Sequence, residues 1–141
     1  MFRKGDLSIT FVQLILKDDM KKDIQTKEDI KLLVDSFYGK VNSDELLSPV
    51  FNIEAGTDWE HHMPKMYQFW GTQLIGTMDY QGFPFPPHTK VALTTTHFQR
   101  WLKLFFETID EHFEGLTAEL AKYKATNIAN VFQYRLGLIK E

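Results

Sequence analysis

From residue 26 onward, hydrophobic positions recur along the chain at helical spacing. Thr26, followed three residues later by Asp29, has the form of a capping box with Asp in place of the usual Glu. Behind it, Ile30, Leu33, Val34, Phe37, Tyr38 and Val41 make one stripe of a first helix. Asn42, Ser43 and Asp44 end the pattern, and a short stretch, Glu45–Phe51, is interrupted by Pro49. Thr57 and Glu60 form the same signature before a second helix, whose apolar face collects Trp59, His62, Met63, Met66, Trp70 and Leu74. Pro64 takes one backbone donor away from the carbonyl of Glu60, which predicts a bend close to His62. Thr96 and Gln99 predict a third helix from His97 to about Glu114, ended by Gly115. Its broad apolar face holds Phe98, Trp101, Leu102, Phe105, Ile109 and His112. Thr117 opens a fourth helix to about Leu136, closed by Gly137, with a stripe of small residues (Ala118, Ala121, Ala125, Ala129) beside Ile128 and Phe132. Strand signals are nearly absent. Between Gly76 and His88 lie three of the five prolines, Pro84, Pro86 and Pro87, which forbid a long helix. The predicted fold class is all-α: four helices split into two pairs by a stiff central loop.

Composition narrows this picture. A chain of 141 residues and 16.5 kDa has room for one core. Without cysteine it has no disulfide, thiolate metal site or cysteine nucleophile, which fits a reducing cytoplasm. A net charge of −3 lacks the basic excess of a nucleic-acid binder. No segment approaches the ~20 apolar residues of a membrane span. The longest apolar run, Ile9–Leu16, is broken by Thr10 and Gln13. Asp6 and the want of a small-residue cleavage site argue against a signal peptide. Residues 1–25 read as an N-terminal extension and 26–141 as the domain. Met20 is an alternative start, so residues 1–19 are either a short docking segment or a misassigned start. The 12 Phe, 5 Tyr and 3 Trp exceed what most small cores use and raise the question of a flat guest.

Five histidines are the remaining candidates for chemistry, since no HExxH, EF-hand, GxSxG or phosphate-loop motif is present. His61 falls on the polar side of the second helix. His62 falls on its apolar face, where position alone reads it as a core histidine satisfied by its neighbours. His112 reads as buried or half-buried, and His97, at a helix start, as a partner of the adjacent loop. His88 follows Pro86-Pro87, and a rigidly presented imidazole suits a metal ligand as well as a solvated loop position. Spacing alone does not choose between His88 and His97.

Taken as an ordered set, the motifs resemble the truncated haemoglobins, specifically their third group. The likeness is carried by Phe37-Tyr38 with Lys40-Val41, by Ser48-Pro49-Val50-Phe51, by Trp59 to Met66 running on to Phe69-Trp70, by Tyr80-Gln81-Gly82 to His88, and by His97 to Leu102 with Leu104-Phe105. It covers roughly residues 26–136, and the want of any Gly-Gly pair agrees with the third group. The resemblance implies a two-over-two helical sandwich around haem b, with His88 as proximal iron ligand. It places Tyr38, His62 and Trp101 on the distal side, Met66 one turn beyond His62, and Phe51 against the porphyrin edge. The implied activity is binding of O₂, NO or CO, with oxygen storage, transport or sensing as its use. The alternative is an NO dioxygenase or peroxidase-like enzyme, which would need a separate reductase because the chain has no room for a flavin domain. A cofactor-free helical interaction domain is the third reading, and the colour of the purified protein separates it from the others.

Overall fold

The computed structural model describes residues 21–77 and 92–140. Residues 1–20 and 78–91, including His88 and the three prolines of the central segment, lie outside the described residues. Every regular element among the described residues is helical. Helix α1 spans Lys27–Ser43, the short α2 spans Leu47–Pro49 and continues as a π-turn over Val50–Glu54, α3 spans Trp59–Ile75, α4 spans Thr95–His112 and α5 spans Leu116–Arg135. Helices α1 and α3 pack together, as do α4 and α5. The first pair rests on the second through α1 on α4 and α3 on α5.

The start of α1 follows the sequence signature. The Asp29 N–H donates to Thr26 Oγ1 at 3.1 Å, and the Asp29 carboxylate accepts from the N–H groups of Thr26 and Gln25. Other boundaries differ from the expected ones. The helical turn passes through Pro49, because a proline in a first turn lacks only a donor that the helix would leave unused. Asp44 instead caps that turn, its carboxylate accepting from the N–H groups of Leu46 and Leu47. The N-cap of α3 is Asp58 rather than Thr57, whose N–H donates to Phe51 O at 2.9 Å. Helix α4 starts at Thr95 with Thr94 as N-cap, two residues before the expected Thr96. The ring of His97 fills the role that Glu or Gln usually takes, its Nδ1 accepting from the Thr94 N–H at 3.0 Å.

Helix α5 is capped from a distance. Asp23 accepts from the N–H groups of Thr117 and Ala118 at 2.9 and 2.8 Å, supplying acceptors and negative charge where a helix start needs both. Gly115 is required there twice over. Its φ is +139°, and a Cβ would lie 2.5 Å from the Asp23 carboxylate. Ile24, the next residue, is fully buried in the core.

The core is built on aromatic rings. Phe105 stacks on Trp70 at 4.9 Å and on Trp101 at 5.8 Å, and Phe37 meets it edge-on at 5.2 Å. Around them lie Leu33, Val34, Val41 and Ile109, all essentially inaccessible. Ala118, Ala121, Ala125 and Ala129 are also buried, so the small stripe of α5 is the surface on which the other helices close. Removing the Phe105 ring deletes contacts to two other helices, α1 and α3, as well as to Trp101 on its own helix, and Phe105→Ala is expected to lower stability by about 3–5 kcal/mol in a urea unfolding series. A loss below 1 kcal/mol would show that the two pairs do not depend on this ring.

Candidate functional site

Beside this core, a second aromatic cluster forms where α1, α2 with its π-turn, and α3 converge. The Tyr38 ring, on the buried stripe of α1, lies 5.1 Å from His62, 5.4 Å from Trp59 and 6.0 Å from Phe51. Phe51 and Trp59 stack at 6.0 Å, and Trp59 meets His62 edge-on at 5.4 Å. The helical period explains the grouping on α3, because Trp59, His62, Met63 and Met66 fall on one face. Met66 is buried one turn beyond His62. Trp59 is fixed by a bond that periodicity does not reveal: its Nε1–H donates to Asn52 Oδ1 at 2.7 Å. Asn52 is held in turn by donating to Asn42 Oδ1 and to Ser48.

Tyr38, Phe51 and His62 are thus brought together directly. Trp101 joins through Phe37, whose ring is 4.8 Å from Tyr38 and 5.5 Å from Trp101. Trp59 belongs to the cluster although no site role was expected for it. Its place on the His62 face was the available signal. The other histidines take different positions. His61 is exposed, its Nε2 3.8 Å from Asp58, and His112 is half-buried beside Glu111. His97 is engaged through Nδ1 in the cap of α4. Among the described residues no group of three His, Cys, Asp or Glu side chains could hold a metal ion.

The electrostatics of the cluster are unusual for two polar side chains. Burial pushes the Tyr38 hydroxyl well above the ordinary tyrosine range, so it keeps its proton at any physiological pH. Burial, helped by the charge of Lys65, holds the His62 imidazole below its ordinary value, so the ring is neutral near pH 7. His62 Nε2 is buried and has no hydrogen-bond partner among the described residues. The expected core histidine, satisfied by its neighbours, is therefore not what the structure shows. A buried imidazole nitrogen without a partner is costly unless something else engages it.

A model of the bacterial-like globin family matches residues 22–133. The chain belongs to that family. Among curated proteins this globin is similar to the group 3 truncated hemoglobin ctb of Campylobacter jejuni subsp. jejuni serotype O:2, with 34% identity over 121 residues, 83% of this chain and 95% of that protein. Among solved structures it is similar to the crystal structure of the group III truncated hemoglobin from Campylobacter jejuni. That match has a TM-score of 0.73 at 34% identity and covers 86% of this chain and 97% of the other. The all-helical arrangement of α1, α3, α4 and α5 is accordingly the truncated-globin fold.

Globin membership implies a haem cofactor, and the residues in place fit one. The cluster offers flat apolar rings, a thioether at Met66, a phenol that stays protonated and a neutral imidazole with a buried, unpartnered nitrogen. The acid behaviour of His62 is a direct check. A folded-state value below the unfolded one means that the unfolded chain binds the extra proton, so His62 favours unfolding as pH falls through about 6.5. In a ring-proton NMR titration, His62 should take up its proton below the ordinary imidazole value of about 6.5. A midpoint at or above that value would place His62 in water.

Proposed function

We propose that this globin binds haem b and, on it, O₂ and other diatomic gases such as NO and CO. The observation that carries the proposal is the buried, unpartnered His62 Nε2 beside the buried Tyr38 hydroxyl in a family member. When bound, haem would supply an iron able to take both a protein ligand and a diatomic gas.

The chain's own residues divide the remaining work. His88 is the proximal ligand in this reading, the resemblance having chosen it over His97. Engagement of His97 in the α4 cap supports the same choice. Phe51, Met66 and Trp101 give the porphyrin an apolar seat and keep water away from its edge. Tyr38 is the principal distal donor, because its hydroxyl stays protonated and its ring is held between α1 neighbours and the Phe51–Trp59 stack. His62 adds a second donor when its proton sits on Nε2, and the Trp101 indole N–H adds a third. Each such bond to a partly charged guest contributes about 1–3 kcal/mol in a site closed to water. The cysteine-free composition supports a cytoplasmic setting.

Tyr38→Phe removes the hydroxyl while keeping the ring, and should raise the O₂ dissociation rate about tenfold in stopped-flow displacement by CO. An unchanged rate would move the main donor to His62 or Trp101. Separately, His88→Ala should abolish the Soret band of a histidine-ligated haem at equal protein recovery. A normal band in that variant would transfer the proximal role to another side chain.

A further inference from the structure

Five of the seven large hydrophobic side chains that are exposed among the described residues sit on one helix. They are Leu116, Leu120, Tyr123, Val131 and Tyr134 of α5, and Leu116 and Tyr123 are 88% and 65% accessible. At 100° per residue they fall within one strip, opposite the buried Ala118, Ala121, Ala125 and Ala129. Burial of the alanines explains how α5 meets its own domain, and the outer strip is left with no partner among the described residues.

The strip has the spacing of a coiled-coil seam. Leu116, Leu120, Tyr123, Asn127, Asn130 and Tyr134 alternate at four- and three-residue steps over about 27 Å of helix. In heptad terms Leu120, Asn127 and Tyr134 occupy a positions, and Leu116, Tyr123 and Asn130 occupy d. No charged side chain interrupts the strip. The charges stand on its two edges, with Glu119 at a g position and Lys124 at the e position five residues later. Lys124 donates to the neutral amide oxygen of Gln73, and Glu119 has only a 3.5 Å contact with Lys122, so neither is locked in a close ion pair.

We propose that this face is the interface with a second copy of the chain, formed by parallel pairing of α5 helices about a two-fold axis. The seam is self-complementary, as such an interface requires. In the parallel register Glu119 of each copy meets Lys124 of the other, the g-to-e′ pairing that sets orientation in two-stranded coils. The same register pairs Asn127 with its own counterpart at an a position, where a buried Asn selects a parallel dimer. An antiparallel pair with full overlap would bring Lys124 beside its own copy. One helix per copy buries an area at the low end of specific interfaces, below about 1,200 Å², so the dimer is weak and depends on concentration.

Sedimentation velocity of the full chain, purified with haem available, tests this between roughly 10 μM and 1 mM. The expected result is a shift from the 16.5 kDa monomer toward twice that mass as concentration rises. Leu120→Glu should raise the dissociation constant at least about tenfold with the helical circular dichroism unchanged. Lys124→Glu should also weaken the dimer, and the double exchange Glu119→Lys with Lys124→Glu should restore it. A monomer at every concentration overturns the proposal, as does self-association indifferent to Leu120→Glu. Failure of the double exchange to restore what Lys124→Glu removes overturns the parallel register. Dimerisation of a chain begun at Met20, with the full chain monomeric, assigns the face to residues 1–19 and overturns the second copy as its occupant.

Discussion

Phe105 lies between Trp70 of α3 and Trp101 of α4, with the edge of Phe37 from α1 closing its third side. Both layers of the sandwich therefore meet at one ring. Stacked and edge-to-face aromatic contacts have preferred geometries as well as large buried area, so they set the position of the helices more tightly than aliphatic contacts would. Phe37 transmits that placement to the site. Tyr38 is its sequence neighbour on the same stripe, and Trp101 touches its ring. Core and site cluster thus share a wall, and the phenol and the indole proposed as donors are registered by the residues that hold the layers together.

Around the site cluster, the supporting bonds come from the connection between α1 and α3. Asn42, Ser48, Asn52 and Trp59 form a chain of hydrogen bonds that runs from the end of α1 through the π-turn to the start of α3. A π-turn adds a residue to the helical ring, and such turns are common where a side chain must be re-aimed. Here the turn carries both Phe51, which stacks on Trp59, and Asn52, which holds it. The ion pair of Arg100 with Asp44 at 2.6 Å joins the start of α4 to the same region.

Much of this was legible in the sequence wherever the controlling interactions are local. The Thr26–Asp29 box and the stripe of α1 involve residues three and four apart, and so does the selection of His62 over His61. The boundaries that moved have identifiable reasons. At α4 three consecutive threonines compete for the cap, and a histidine stands in for the usual acidic partner. At Pro49 the proline occupies a turn that does not need its missing donor. Periodicity put Trp59 on the His62 face, but the bond that fixes it, donated by its Nε1–H to Asn52 of the π-turn, is one that no periodicity encodes. The unpartnered state of His62 Nε2 was illegible for a different reason: it depends on what three separate segments fail to offer it. His88 rests on the family resemblance, because its segment lies outside the described residues.

The bond from Asp23 to the first turn of α5 spans 94 residues of sequence. Closing so long a loop costs chain entropy that no local contact returns, so this clasp belongs to the late stage of folding. A ribosome delivers the carboxylate first and the amides it serves almost last. Until α5 emerges, Asp23 has nothing to cap, and Ile24 has no completed core to enter. The earliest described part of the chain therefore acts as a latch for α5, joining backbone and carboxylate across 94 residues.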